Sequence, residues 1–196
     1  MLLLIVGAKG GVGATTLAYH ISQYLERAVR IDAADGALAA RLGGRVLDLS
    51  QVGQWPPGEH VQQAERAAQQ GQTYLYTRAC HAFPVQVTAY LQMLKVLGVV
   101  VVDGGLAPPE GLAELADVVL VVSRDQDPVA AWHEQRLKAH WPNARIVVGD
   151  LKAAAQGLGA QYFGEKPPGW VDRLRHTVGK AEAARLDLSP GSPTGG

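Results

Sequence analysis

The sequence predicts an α/β fold, a doubly wound and mostly parallel sheet flanked by helices, and three observations carry that expectation. Four short runs, residues 2–6, 99–102, 118–122 and 146–148, are continuously apolar and rich in β-branched side chains instead of alternating. Strands read this way when helices cover both faces of their sheet. Amphipathic patterns separate the runs: residues 15–27 place Leu17, Ala18, Ile21, Tyr24 and Leu25 on one stripe, and residues 85–97 do the same with Val87, Tyr90, Leu91 and Leu94. Each apolar run also stops at Gly, Asp or Ser, at the strand ends where open α/β sheets bind their ligands.

Taken in order, two weaker strands are expected at 29–31 and 74–76. Residues 52–71, with Trp55-Pro56-Pro57-Gly58 and then Gln- and Ala-rich sequence, predict a loop followed by one polar helix. At 196 residues the chain accommodates one α/β domain with a sizeable core. The expected domain is 1–187, followed by a disordered tail at 188–196, where Ser, Pro and Gly leave too little apolar surface to fold. No internal repeat is evident.

Composition narrows the function. Hydrophobic residues make up 47%, charged residues 18%, and the formal net charge is zero. This is globular composition, and its balance gives no support for contact with DNA or an anionic membrane. The one cysteine, Cys80, excludes an intrachain disulfide and a four-cysteine metal site, and a cytoplasmic chain is expected. The 2–6 run has no basic residues before it and is too short for a secretory segment. No apolar stretch approaches the ~20 residues that span a bilayer.

The chemistry concentrates after the first strand, in Gly7-Ala8-Lys9-Gly10-Gly11-Val12-Gly13-Ala14-Thr15-Thr16, with an amphipathic helix following at once. Glycines let a backbone wrap an anion, successive N–H groups point inward, and the helix N-terminus adds its dipole. Thr15 stands where a hydroxyl ligates Mg²⁺ beside the phosphates. A merely tight turn is the bland alternative. Six fixed residues arise at one start position with a chance on the order of 10⁻⁷ from background composition.

Lys-Gly-Gly-Val-Gly-x-Thr-Thr after an N-terminal strand resembles the deviant Walker A loop of the ParA/MinD family. The Gly-Val-Gly-Ala-Thr-Thr portion is similar to its CpaE/TadZ-like branch, whose members help to place pilus-assembly machinery. The resemblance covers residues 1 to about 150. It implies ATP and Mg²⁺ as ligands, with residues Lys9, Gly10, Gly11, Val12, Gly13, Ala14, Thr15 and Thr16 around the phosphates. It also implies a homodimer formed on ATP binding, in which Lys9 reaches the partner's phosphates. Ala14 departs from the pattern, since relatives carry there the lysine that neutralises the β- and γ-phosphates. A contact of that type contributes roughly 1.5–3 kcal/mol, so affinity is expected to be about 10- to 100-fold weaker than with lysine.

The segment Ile31-Asp32-Ala33-Ala34-Asp35 is similar to the family's Walker A′ strand, which ends Asp-x-Asp. By this resemblance Asp32 is a catalytic and metal-site residue, while the second aspartate, which orients the attacking water, falls on Ala34. Asp35 comes one residue late, and a one-residue shift turns a side chain to the other face. A turn or cap before Gly36 is its bland role. Val-Val-Val-Val-Asp103-Gly104-Gly105 resembles a Walker B strand, making Asp103 the holder of the Mg²⁺ water shell. Leu115-Ala116-Asp117-Val118-Val119-Leu120-Val121-Val122 is similar to the family's next strand. The adenine-reading Asn-Arg of the family is replaced by Gly149-Asp150.

Other features have plainer readings. His133 and His140 share a helical face without a third metal ligand, and Trp132 and Trp141 suit a helix boundary or a subunit contact. Residues 170–185 suit a helix packed on its own sheet better than a membrane helix, because the apolar stripe dissolves into alanines. Three functions remain open. One is an ATP-binding dimerisation switch with little turnover, which positions or assembles a cellular machine through a protein partner and is recruited by it to the membrane or pole. Another is an active ATPase for DNA partition or division-site placement. The third is a small-molecule synthetase of the dethiobiotin-synthetase type. Ala14 and Ala34 favour the first.

Overall fold

A computed structural model describes residues 1–25, 27–56, 58–76 and 83–163. Among the described residues seven strands form one sheet in the order β3-β4-β2-β5-β1-β6-β7, and each of their pairings is parallel. The strands are β1 (Leu2–Gly7), β2 (Val29–Asp32), β3 (Val46–Asp48), β4 (Thr73–Leu75), β5 (Val100–Asp103), β6 (Val118–Val122) and β7 (Arg145–Val147). Among the described residues six α-helices connect them, α1 (Ala14–Tyr24), α2 (Ala37–Leu42), α3 (Glu59–Gln70), α4 (Val85–Leu97), α5 (Leu112–Leu115) and α6 (Pro128–His140), and α7 (Leu151–Phe163) follows β7. A 3₁₀ helix, Leu49–Gln54, precedes α3.

Unalternating strands follow from a core on each face. In β1, Leu3 and Ile5 face a layer that holds Leu17 and Ile21 of α1, Leu38 of α2 and Ala155 of α7. Leu2, Leu4 and Val6 face the opposite layer, with Ala64 of α3, Leu91 of α4 and Leu137 of α6. Every residue of β1 is therefore buried, and polar alternation would place charge in one of the two cores. The α/β, all-parallel architecture agrees with the sequence reading.

Boundaries shift by one or more residues. The first helix ends at Tyr24 rather than at 27, because the chain turns at Leu25 to enter β2. The polar segment expected over 52–71 is the 3₁₀ helix plus α3. Strand β3 and helices α2, α5 and α7 have no counterpart among the expected elements, whereas α6 carries the helical face expected for His133 and His140. Residues 164–196, and so the amphipathic segment 170–185 and the tail, lie outside the described residues, as does Cys80. Among the described residues no helix is long and apolar enough to cross a membrane.

The topology places the glycine loop at the centre. β1 lies between β5 and β6. The loop base is tied to both neighbours: the Gly7 N–H donates to the Gly105 carbonyl at 2.8 Å and the Ala8 N–H to the Val122 carbonyl at 2.8 Å.

Candidate functional site

The loop turns back on itself through Gly11 (φ 73°) and Gly13 (φ 105°), a left-handed backbone that favours glycine. Gly13 is the N-cap of α1 and gives the helix no side-chain cap. The first-turn N–H groups of an eleven-residue helix are thus left without a capping side chain, in the arrangement that receives an anion. A Cβ added at Gly10 or Gly11 would meet nothing within 4 Å, so the loop opens onto space. At Gly13 a Cβ would lie 2.5 Å from Leu151 Cδ1. Gly13 is therefore required by its φ and by its approach to α7, rather than by open space for a ligand.

Two of the expected acids sit side by side. Asp32 and Asp103 are register partners at the ends of β2 and β5, and both are fully buried. Their surroundings differ. Asp32 Oδ1 accepts from the Ala34 and Gly36 N–H groups, each at 3.1 Å, and Oδ2 accepts from Ala39 at 3.0 Å. Its carboxylate shapes the backbone from 33 to 39 and seats α2. Asp32→Ala is expected to strand these three N–H groups and destabilise the fold by about 3 kcal/mol or more, read as a lower denaturant midpoint without any ligand present. An unchanged midpoint would show that the three bonds are dispensable.

Asp103 is short of partners. Its Oδ1 accepts from the Gly105 N–H at 3.1 Å, while its buried Oδ2 makes no hydrogen bond. Burial pushes the Asp103 carboxyl above its ordinary range, neighbouring Asp32 and Asp35 add to this, and the Thr15 hydroxyl and the Gly105 N–H oppose it. A buried carboxylate oxygen without a partner, next to a second carboxylate and a threonine hydroxyl, fits a hard cation with oxygen ligands. Among the described residues no three Asp, Glu, His or Cys side chains group as a metal cage. Mg²⁺ needs no such cage, because it keeps several waters and takes its other ligands from phosphates. The residues present therefore fit Mg²⁺ held with a phosphate chain, through Thr15 and Asp103.

Asp35 is exposed and its Oδ1 accepts from the Ala37 N–H at 3.0 Å, the turn role that its one-residue displacement suggested. The Ala34 methyl lies 2.9 Å from where a Cβ on Gly105 would stand. A carboxylate at position 34 would thus approach the loop after β5, and this chain has none there.

Three cations stand at the loop, one of its own and two brought from other segments. Lys9 forms an ion pair with Asp127. Asp127 is also the N-cap of α6, accepting from Val129 at 3.0 Å and Ala130 at 3.1 Å. The Lys9 ammonium, first, and these N–H groups hold its carboxyl below the ordinary range. Arg124 donates to the Gly11 carbonyl in the loop, and Arg41 to the Thr16 hydroxyl in the first turn of α1. None of these three partners was singled out from sequence. Asp127-Pro128 does carry a helix-start signal, an N-cap acid followed by proline at the first helical position. Nothing local marks the arginines.

The remaining candidates lie elsewhere. Asp117 sits at the opposite end of the sheet, where its Oδ2 accepts from Leu2 N–H at 2.8 Å and its Oδ1 pairs with Lys95 at 2.7 Å. Asp150 caps α7 through Lys152 N–H at 3.0 Å and Ala153 N–H at 3.2 Å. Trp141 closes α6 and packs on the core, whereas Trp132 is 59% exposed and stands edge-on to His133. A polar cavity of about 570 Å³ at the β3 edge, lined in part by Arg45, Trp55, Arg66 and Tyr74, does not include the loop. Comparison with protein-family models found no match, and comparison with curated proteins found none either.

Proposed function

We propose that this chain is an ATP-binding switch of the deviant phosphate-loop kind, in the ParA/MinD manner, with little or no turnover. The observation that carries the reading is the pairing of an uncapped helix N-terminus, entered through two left-handed glycines, with a buried and partnerless Asp103 oxygen beside Thr15. One half of that arrangement suits an anion and the other a cation, and a nucleotide triphosphate with Mg²⁺ brings both. The backbone from Gly10 to Thr16 holds the phosphates. Thr15 and Asp103 hold the ion, whose bound charge offsets that of the phosphates, and Asp32 keeps the adjoining backbone in place. With Ala34 in place of an acid, no carboxylate is supplied there to orient a water for attack, which favours retention of the nucleotide over its turnover.

The switch is homodimerisation, with Lys9 of each copy turned toward the other's nucleotide. In a single chain that lysine is occupied by Asp127, so the dimer form requires the pair to open. Asp127→Asn retains an N-cap acceptor for α6 and removes the competing charge. Light scattering in the presence of ATP and Mg²⁺ is expected to show the variant dimerising at a several-fold lower protein concentration than wild type. Lys9→Ala is expected to remain monomeric. Equal behaviour of all three chains would refute the role given to Lys9. In this reading the dimer presents a surface to a protein partner, and the positioning or assembly of a cellular machine is the class of task that such a switch performs.

A further inference from the structure

Ala14 leaves the loop without the lysine that ordinarily faces the β- and γ-phosphates. Neither loop position offers a spare charge in its place. Ala14 packs in the α1 core layer, and Lys9 is committed to Asp127. Two guanidinium groups nevertheless stand at the loop. Arg124, just after β6, donates from Nη2 to the Gly11 carbonyl at 2.5 Å. Arg41, in the last turn of α2, donates from Nη1 to the Thr16 hydroxyl at 3.0 Å. They arrive from opposite sides, because α2 follows β2, the Arg124 segment follows β6, and β1 lies between those strands.

Both arginines touch only neutral oxygens, and among the described residues neither is paired with a carboxylate. A guanidinium has five N–H donors in a fixed fork suited to phosphate, so one bond to a carbonyl or hydroxyl leaves most of the group unused. An isolated exposed arginine is an ordinary solvated side chain. Two that converge on one glycine loop are less ordinary when the loop opens onto space and leads into an uncapped helix. The buried, partnerless Asp103 oxygen independently marks the same place as one that receives a ligand.

We infer that Arg41 and Arg124 bind the phosphate chain in place of the lysine missing at position 14, Arg124 from the Gly11 end of the loop and Arg41 from the Thr16 end. The inference rests on the nucleotide-binding reading above and adds to it the residues that supply the charge. It also shifts the expected affinity, because the loss at position 14 is compensated from outside the loop.

Calorimetric titration of wild type, Arg41→Gln, Arg124→Gln and the double variant with ATP–Mg²⁺, inorganic tripolyphosphate and adenosine tests the assignment. Glutamine removes the charge and leaves a shorter, neutral donor side chain, and the melting temperature reports whether the brace to the loop oxygen is lost with it. Each single variant is expected to bind ATP–Mg²⁺ and tripolyphosphate about 10-fold more weakly, and the double variant about 100-fold, the size of charge-assisted contacts. Adenosine binding and the melting temperature of the free protein are expected to stay unchanged. Arg→Lys at either position should recover part of the loss. If wild type binds and the double variant binds equally well, the arginine assignment falls and nucleotide binding stands. If Lys and Gln variants lose affinity equally and melt lower, the arginines only brace the loop, and the assignment also falls. If wild type binds neither ATP–Mg²⁺ nor tripolyphosphate, both readings fall together.

Discussion

Asp103→Asn is expected to stabilise the free protein and at the same time to remove the Mg²⁺ dependence of its nucleotide binding. The two effects have one cause. Asp103 is fully buried, its Oδ2 has no hydrogen-bond partner, and Asp32 lies beside it as its register neighbour. A buried carboxylate with one oxygen left unbonded is costly, so a neutral isostere should strengthen the free fold by ~1 kcal/mol, within the range of single stabilising changes. Loss of the ionised oxygen should weaken Mg²⁺-dependent ATP binding by about 10- to 100-fold, as loss of a supporting group at a metal site does. The same carboxyl sets a pH signature. Because its folded pKa is raised, its contribution to stability is complete below the ordinary Asp value of 3.8. That contribution is lost as pH rises through the raised folded value. Mg²⁺ competes with the proton, so metal-dependent binding should run the other way, strengthening over that same rise. Denaturant melts of both chains, and titrations across pH, read these outcomes. An asparagine variant that is less stable and equally Mg²⁺-dependent would place the ion elsewhere.

Turnover is the second large effect. Phosphoryl transfer rests almost wholly on positioning and on neutralising charge, and wild type is expected to hydrolyse ATP very slowly or not at all. Ala14→Lys restores a cation near the β- and γ-phosphates, and Ala34→Asp restores a carboxylate near the loop after β5. Since each supplies a different part of the transition state, the double variant should exceed either single one, and exceed wild type by on the order of 10²-fold, the scale of one preorganised electrostatic contact. The structure makes the two changes unequal. The Ala34 methyl already faces the Gly105 backbone, so aspartate enters where it is needed. Ala14 packs among Leu17, Ala18 and other residues of a core layer, so the lysine must leave that layer to reach the phosphates. Ala34→Asp is therefore the better single substitution. Wild-type turnover as fast as that of the double variant would instead favour an active partition-type ATPase.

What could be read in advance divides along sequence separation. Strands β1, β5 and β6 are apolar runs buried on both faces, and the glycine loop is a local pattern, so a short window contains the whole signal. Strand β3 has three residues at a sheet edge, none of them buried, and leaves no apolar run to see. Around the loop the limit is sharper. Arg41 meets Thr16 across 25 residues and Arg124 meets Gly11 across 113, contacts that exist only because β2 and β6 flank the centre of the sheet. The buried environments of Asp32 and Asp103 look equivalent as strand-end acids in sequence. Their difference arises from the path of the chain through residues 33–39, which brings three N–H groups to Asp32 and leaves Asp103 Oδ2 with none.

In the proposed switch the glycine loop and Asp103 together bind ATP with Mg²⁺. Isothermal calorimetry of ATP into the wild-type chain, with Mg²⁺ and then with the metal chelated, reads this binding without any substitution. Saturable binding of one ATP per chain is expected, with a dissociation constant of roughly micromolar or weaker, and it should largely disappear when Mg²⁺ is removed. No saturable heat at millimolar ATP, or binding equally tight without the metal, would contradict the proposed switch.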